Sequence, residues 1–155
     1  MVPANSMSIE KDINQSKFRN EFQKSSVNII YTCNWMNEKI KSYLDEFELT
    51  SQQFNILRIL RGQYPKPATV NLLKERMIDK MSDASRIVDR LVQKELVSRC
   101  TNTKDRRAVD VRISDKGLDI LSKMDGEFKV KDILQKNLTA EEAATLSDLL
   151  DKLRG

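Results

Sequence analysis

Between Met81 and Ile113 the spacing of apolar residues changes from a helical repeat to a strand repeat, and that change limits the fold more than any other feature of the chain. In its first half, Ile87, Val88, Leu91 and Val92 form one apolar stripe. Ser82, Ser85, Arg86, Asp89, Arg90 and Gln93 share the opposite side. The pattern predicts an amphipathic helix of about 13 residues, roughly 20 Å long, with Ser82 as its N-cap. After Leu96-Val97 the period becomes two: Val109, Val111 and Ile113 alternate with Asp110 and Arg112, as in a strand with one buried face. Its partner runs from Val97 to about Thr101, and Asn102 to Arg107 make a polar hairpin tip.

Charge gathers on this same window. From Lys80 to Arg112 nine Lys or Arg face five Asp or Glu, a net +4, which equals the net charge of all 155 residues. Spread evenly, such a balance would mean little. Concentrated on a helix and a hairpin, it matches the footprint of a protein that meets a polyanion. Short polar side chains and arginines on one helix face can reach phosphates and base edges in a DNA major groove.

Several classes of function are closed to the chain. It contains no histidine, which removes Ser-His and Cys-His catalysis and most zinc sites. Cys33 and Cys100 lie far apart with no C-x-x-C spacing, so neither a disulfide framework nor a thiolate metal site is expected. There is no nucleophile-base pair and no glycine-rich phosphate loop. The expectation is a non-enzyme with no cofactor and no metal. No run of 18 apolar residues exists and the start lacks a basic stretch followed by an apolar one, so neither a membrane span nor secretion is expected, and the cytoplasm is.

The rest of the chain supplies a frame for that window. Residues 1–7 form an added or disordered start, Met7 being a second candidate initiator. From Ser8 to Glu46 there is no Gly or Pro, and Phe18, Phe22, Ile29, Cys33, Met36, Ile40, Tyr43 or Leu44, and Phe47 recur at helical spacing. This predicts one long helix, too long to bury its stripe within a small domain and so a dimerisation arm. Thr50 to Gln53 offer a capping box for a second helix with Phe54, Ile56, Leu57 and Leu60 inside and Gly62 near its end. Pro65 and Pro67 enforce a loop. Ala68 to Met77 read as a short third helix, and a tight link leads into the amphipathic helix, which makes a helix-turn-helix. Ser114 to Gly117 cap a further helix with Leu118, Leu121, Met124 and Phe128 on one side. Thr139 to Glu142 cap the last, with Leu146, Leu149, Leu150 and Leu153.

Several stretches together resemble the MarR family of bacterial transcription regulators. They are Ser85-Arg86-Ile87-Val88-Asp89-Arg90-Leu91-Val92, Leu96-Val97-Ser98-Arg99, Asp105-Arg106-Arg107, and Val111-Arg112-Ile113-Ser114-Asp115-Lys116-Gly117. The likeness extends from near Gln23 to Leu153 in helix order and spacing. Glu95 departs from it, standing where the family has a helix-ending glycine, and is expected to deny that helix a left-handed cap. The resemblance implies a mainly α protein with a small β-hairpin wing: a winged helix-turn-helix with N- and C-terminal dimerisation helices. In domain terms, residues 8–47 are the N-terminal dimerisation helix, 48–113 the DNA-binding core and 114–155 the C-terminal dimerisation helices.

The same resemblance implies a repressor that binds a palindromic operator in double-stranded DNA as a homodimer and is released by a small-molecule effector or an oxidant. Ser82, Asp83, Ser85, Arg86, Arg90, Arg106 and Arg107 are the candidate DNA-binding residues. Arg107 would enter the minor groove, where a narrow A·T tract concentrates negative potential, and Arg106 would touch the backbone. Asp105 cannot favour DNA itself and is expected to orient the wing by holding an arginine through a charge-assisted hydrogen bond. Tyr31, Trp35 and Tyr64 are candidates for an effector pocket, although core packing would explain them equally. Cys33, and similarly Cys100, are candidate redox thiols, with a small buried hydrophobe as the competing reading. The alternative function is a winged-helix adaptor that binds a protein partner and no DNA. It predicts weak, salt-insensitive association with DNA, where a regulator loses affinity steeply as salt rises.

Overall fold

The computed structural model describes residues 7–127 and 130–155, so Val2 to Ser6 and Phe128 lie outside the described residues. The chain divides into two compact units, residues 1–43 and 44–155.

In the first unit the continuous helix expected from Ser8 is instead two. A single turn, α1 (Ile9–Asp12), is followed by Asn14 at φ 52° and then by α2, which begins at Glu21 and ends at Asp45. Asparagine tolerates the left-handed region because its short polar side chain bonds locally, and there it breaks the helix. The restart is also written locally. Asn20 Oδ1 accepts from the Gln23 N–H at 2.9 Å, and Gln23 Oε1 accepts from the Arg19 N–H at 2.6 Å. The first bond satisfies a donor that a helix N-terminus leaves open, and the second ties the incoming chain to the first turn. Glu10 pairs with Lys24 at 2.5 Å and ties the first turn to the second helix. Along α2, Phe22, Ile29, Ile30, Tyr31 and Cys33 are exposed. Of the stripe read from the sequence, Phe22, Ile29 and Cys33 are thus open, whereas Phe18, Met36, Ile40 and Phe47 are half-buried and Leu44 is buried.

The second unit is built on a three-stranded antiparallel sheet in the order β1-β3-β2, with β1 Ala68–Thr69, β2 Val97–Thr101 and β3 Val109–Ile113. Val97 lies opposite Ile113, Arg99 opposite Val111 and Thr101 opposite Val109, while Ala68 pairs with Val111 from the other side. Strand β1 corrects the expected third helix: Thr69 accepts from the Leu72 N–H and caps α4, which spans Val70–Arg76. Ala68 and Thr69 are too few to show a strand period. Helix α3 (Ser51–Gln63) starts at the expected capping box, where Thr50 and Gln53 each accept the other's N–H at 3.1 Å.

The core of this unit takes Ile56, Leu57 and Leu60 from α3, Leu73 from α4, and Met77 just beyond it. It takes Ala84, Val88 and Leu91 from α5 (Ala84–Gln93), and Leu96, Val97, Val111 and Ile113 from the sheet region. Leu121 and Met124 of α6 (Asp115–Glu127) complete it. Each such Val, Leu, Ile or Met side chain contributes about 1.5–3 kcal/mol by leaving water. Two strand expectations change here. Val109 is 38% exposed, lying at the end of β3 next to the hairpin tip, and Asp110 is buried at 8%. The hairpin loop folds a hydrogen-bond donor over Asp110, which makes that burial tolerable.

Gly117 is required by space rather than by dihedral angle. A Cβ there would lie 2.4 Å from the Leu96 carbonyl oxygen and 2.8 Å from Ile113 Cγ1. Ser114 closes the same joint: its Oγ donates to the Glu95 carbonyl at 2.7 Å and accepts from the Gly117 N–H at 3.0 Å. A short α7 (Val130–Gln135) and α8 (Ala140–Arg154) end the chain. Thr139 and Glu142 form the expected capping box of α8.

Candidate nucleic-acid interface

Helix α5 is shorter than its apolar pattern predicts, and Asp83, not Ser82, caps it. The Asp83 carboxylate accepts from the Arg86 N–H at 3.1 Å. Ser82 belongs to the preceding turn, where its hydroxyl donates to Asp79 Oδ2 at 2.7 Å. Asp79 also accepts from the Met81 N–H at 3.0 Å and from Gln52 Nε2 at 3.3 Å. The Ser82 hydroxyl, then Gln52 and the Met81 N–H, hold the Asp79 carboxyl below its ordinary pKa. The turn between α4 and α5 is thus fastened to the start of α3.

The apolar side of α5 is narrower than expected. Val88 and Leu91 are fully buried, Ile87 is half-buried and Val92 is 37% exposed, while Ala84 joins the core. The stripe has moved by part of a turn, and small Ala84 is the member that the size of its side chain concealed. Ser85, Arg86, Asp89 and Arg90 are exposed, as their spacing predicts. Arg86 and Arg90, one turn apart, border a shallow depression of about 290 Å³ together with Thr50, Gln52, Ser82 and Asp83. Sequence positions that looked remote, the start of α3 and the face of α5, thereby share one surface.

The exit from α5 overturns the expectation for Glu95. Glu95 adopts φ 61°, the left-handed conformation, without being glycine. Its N–H donates to the Val92 carbonyl at 2.9 Å and the Leu96 N–H to the Leu91 carbonyl at 3.0 Å, the paired bonds of a Schellman end. Buried Leu96 anchors the turn, so the neighbourhood imposes a backbone that costs a non-glycine residue about 1–2 kcal/mol. Lys94, at the same end, donates to the Glu48 carbonyl and reaches Gln53 Oε1 at 3.4 Å.

Strand β2 braces the helix from the other side. Arg99 pairs with Asp89 at 2.8 Å and donates to the Ser85 carbonyl at 3.2 Å. Arg112, on β3, donates instead to the Pro65 carbonyl at 3.2 Å. At the hairpin tip the Asp105 Oδ1 accepts from the backbone N–H of Arg107 at 2.9 Å, and among the described residues no guanidinium bonds it. Arg106 and Arg107 are exposed. Among the described residues, the guanidinium groups of Arg86, Arg90, Arg106 and Arg107 have no ion-pair or hydrogen-bond partner, whereas those of Arg61 and Arg99 are engaged within the chain. Arginines held apart from internal partners on an exposed surface keep their full donor sets for a ligand.

The bracing residues Asp79, Lys94 and Arg99 were missed as candidates. Asp79 stands three residues before Ser82, a local signal for a side-chain-closed turn, but Lys94 and Arg99 act across the fold and leave no local signal. Of the proposed effector aromatics, Tyr31 and Trp35 lie on α2 in the first unit, and Tyr64 is the exposed C-cap of α3 in the second. Cys33 and Cys100 are both exposed free thiols, so the reading of Cys33 as a buried hydrophobe does not hold within this chain. Asn37 Nδ2 approaches Cys33 Sγ at 3.6 Å. Among the described residues, no helix is long and apolar enough to cross a membrane, and no cluster of Cys, Asp and Glu is arranged to hold a metal ion.

Comparison with known proteins agrees with this geometry. The MarR family model matches residues 49–109, which take in α3, the helix-turn-helix, β2 and the hairpin tip. The multiple antibiotic resistance protein MarR of Escherichia coli is 33% identical over 129 residues, covering 81% of this chain and 88% of that protein. Its counterpart in Salmonella typhimurium is 32% identical over the same length. A crystal structure of a point mutant of E. coli MarR complexed with operator DNA superposes with a TM-score of 0.71 at 30% identity, covering 89% of this chain and 99% of that one. Architecture, motif order and relatives converge, and the chain belongs to the MarR family.

Proposed function

We propose that this protein is a transcriptional repressor, acting in the cytoplasm, that binds double-stranded DNA as a homodimer. The observation that carries the reading is the set of four unpartnered, exposed arginines on α5 and the hairpin tip, on elements that Asp79, Lys94 and Arg99 brace. Helix α5 enters the major groove, where Arg86, Arg90 and Ser85 meet phosphates and base edges. Asp83 and Ser82 position that helix through the cap and the turn. Arg107 enters the minor groove and Arg106 meets the backbone. The E. coli relative solved with operator DNA supports the same use of the fold.

Two copies are needed because one leaves apolar surface open. On α8, Leu149 is 60% and Leu153 65% exposed, and on α2 Phe22, Ile29 and Ile30 are exposed. A two-fold pairing of such faces places two α5 helices on one duplex, and operator symmetry mirrors protein symmetry.

Selection from a random duplex pool with the full chain tests the reading. The expected result is enrichment of an inverted repeat whose half-sites lie about one helical turn apart. A helical adaptor that binds protein alone would leave the pool unenriched, and that outcome would overturn the proposal.

A further inference from the structure

The wing contains a buried acid for which the DNA-binding reading has no task. Asp110 is 8% exposed on β3, and among the described residues no cation pairs with it. Its partner is an amide: Asn102 Nδ2 donates to Asp110 Oδ1 at 2.9 Å. The other end of the same side chain faces the tip, where Asn102 Oδ1 accepts from the N–H groups of Lys104 at 2.8 Å and Asp105 at 2.9 Å. The Asn102 N–H donates to the Ala108 carbonyl at 3.2 Å and the Ala108 N–H to the Asp105 carbonyl at 3.0 Å, closing the loop across its base. Asp105 in turn accepts the Arg107 N–H. Hydrogen bonds therefore run without a gap from the inside of the sheet to the backbone of Arg107.

The residue type at 102 follows from this placement. One end of the side chain must donate to a carboxylate and the other must accept two backbone N–H groups, at a reach of one methylene. An asparagine amide does both. Aspartate would accept at the tip but set a second carboxylate against Asp110, and serine lacks a second polar atom.

We propose that Asn102, anchored on the buried Asp110 carboxylate, is the positioning residue that fixes the wing tip and hence the place from which Arg107 reaches DNA. The proposal rests on the DNA-binding reading above. A tip ordered before contact loses less conformational entropy when it binds.

The test uses the full chain and the duplex that the wild-type protein enriches from the random pool. Asn102→Ala is expected to weaken binding about five- to ten-fold, within the range of a lost specific contact. Combined with Arg107→Ala, it is expected to bind no more weakly than Arg107→Ala alone, because both losses act through one side chain. Exchanging donor and acceptor, Asn102→Asp together with Asp110→Asn, is expected to restore binding that Asn102→Asp alone loses. Amide exchange supplies an arm without DNA: in Asn102→Ala the N–H groups of Lys104, Asp105 and Arg107 should lose protection while those of α5 keep it. Multiplying losses in the double variant, no rescue by the exchanged pair, or unchanged protection at the tip would each overturn the proposal. A wild-type chain that bound no duplex would instead bring down the DNA-binding reading, and this proposal with it.

Discussion

Helices α5 and α8 treat their apolar residues in opposite ways. Helix α5 buries Ala84, Val88 and Leu91 beneath an exposed row of Ser85, Arg86, Asp89 and Arg90. Helix α8 has no buried residue: Leu146, Leu149 and Leu153 are exposed, the first two beside a depression that Thr139, Glu142 and Thr145 also line. The first is a finished helix whose outer face offers charge and donors. The second has caps at both ends and an apolar side without a cover, a surface whose free energy falls only when another apolar surface meets it. One helix turns charge and donors outward and the other an apolar side, the face that the proposed homodimer covers.

The largest effect expected from breaking this contrast lies on α8. Leu149→Asp with Leu153→Asp should convert the protein from twice 17.9 kDa to 17.9 kDa by light scattering at micromolar concentration. A mass that does not change would remove α8 from the interface. Next in size is the joint that holds β3 and α6 against the end of α5. Gly117→Ala places a methyl group against backbone and should cost about 3 kcal/mol, seen as a lower midpoint in urea unfolding. Retained stability would mean that the joint yields more readily than its contacts indicate. On α5, Arg90→Ala should weaken DNA binding by about 1–3 kcal/mol while leaving the dimer mass and the melting temperature unchanged. An equal loss of stability would show Arg90 to be structural.

Two smaller effects sharpen the frame. Glu95→Gly removes the cost of a left-handed non-glycine residue and should stabilise the protein by about 1 kcal/mol, since the ion pair it gives up with Lys116 is exposed. A destabilised variant would show that this ion pair outweighs the backbone. At the other end of α3, Arg61, aided by Arg58, holds the Asp125 carboxyl below its ordinary pKa. That contribution is present above the unfolded carboxylate pKa and is lost as pH falls through the lower folded value. Half-exposed Asp125 should contribute less than about 1 kcal/mol. The stability gap between wild type and Asp125→Asn should therefore close in acid, and a gap that widened would contradict the assignment.

Local patterns in the chain were legible where one turn of backbone decides the outcome. The capping boxes at Thr50 and Thr139, the β2–β3 hairpin and the exposed arginines of α5 all stand where spacing places them. Features decided by neighbours distant in sequence were not. Glu95 is left-handed because Leu96 must reach the core, and Asp110 is buried because Asn102 folds over it. Ala68 and Thr69 form a strand because β3 offers an open edge. The break after α1 is local but faint in sequence: Asn14 and Asn20 are polar interruptions whose spacing does not disturb the apolar repeat around them.

The most direct measurement is the salt dependence of duplex binding, made on the wild-type chain and on the triple variant Arg86→Ala, Arg90→Ala, Arg107→Ala. Each phosphate neutralised adds about 0.9 to the slope of log affinity against log salt. A steep, linear fall for the wild type and a distinctly shallower one for the triple variant is the predicted result. Affinity that ignores salt, or a slope that the three substitutions leave untouched, would contradict the account.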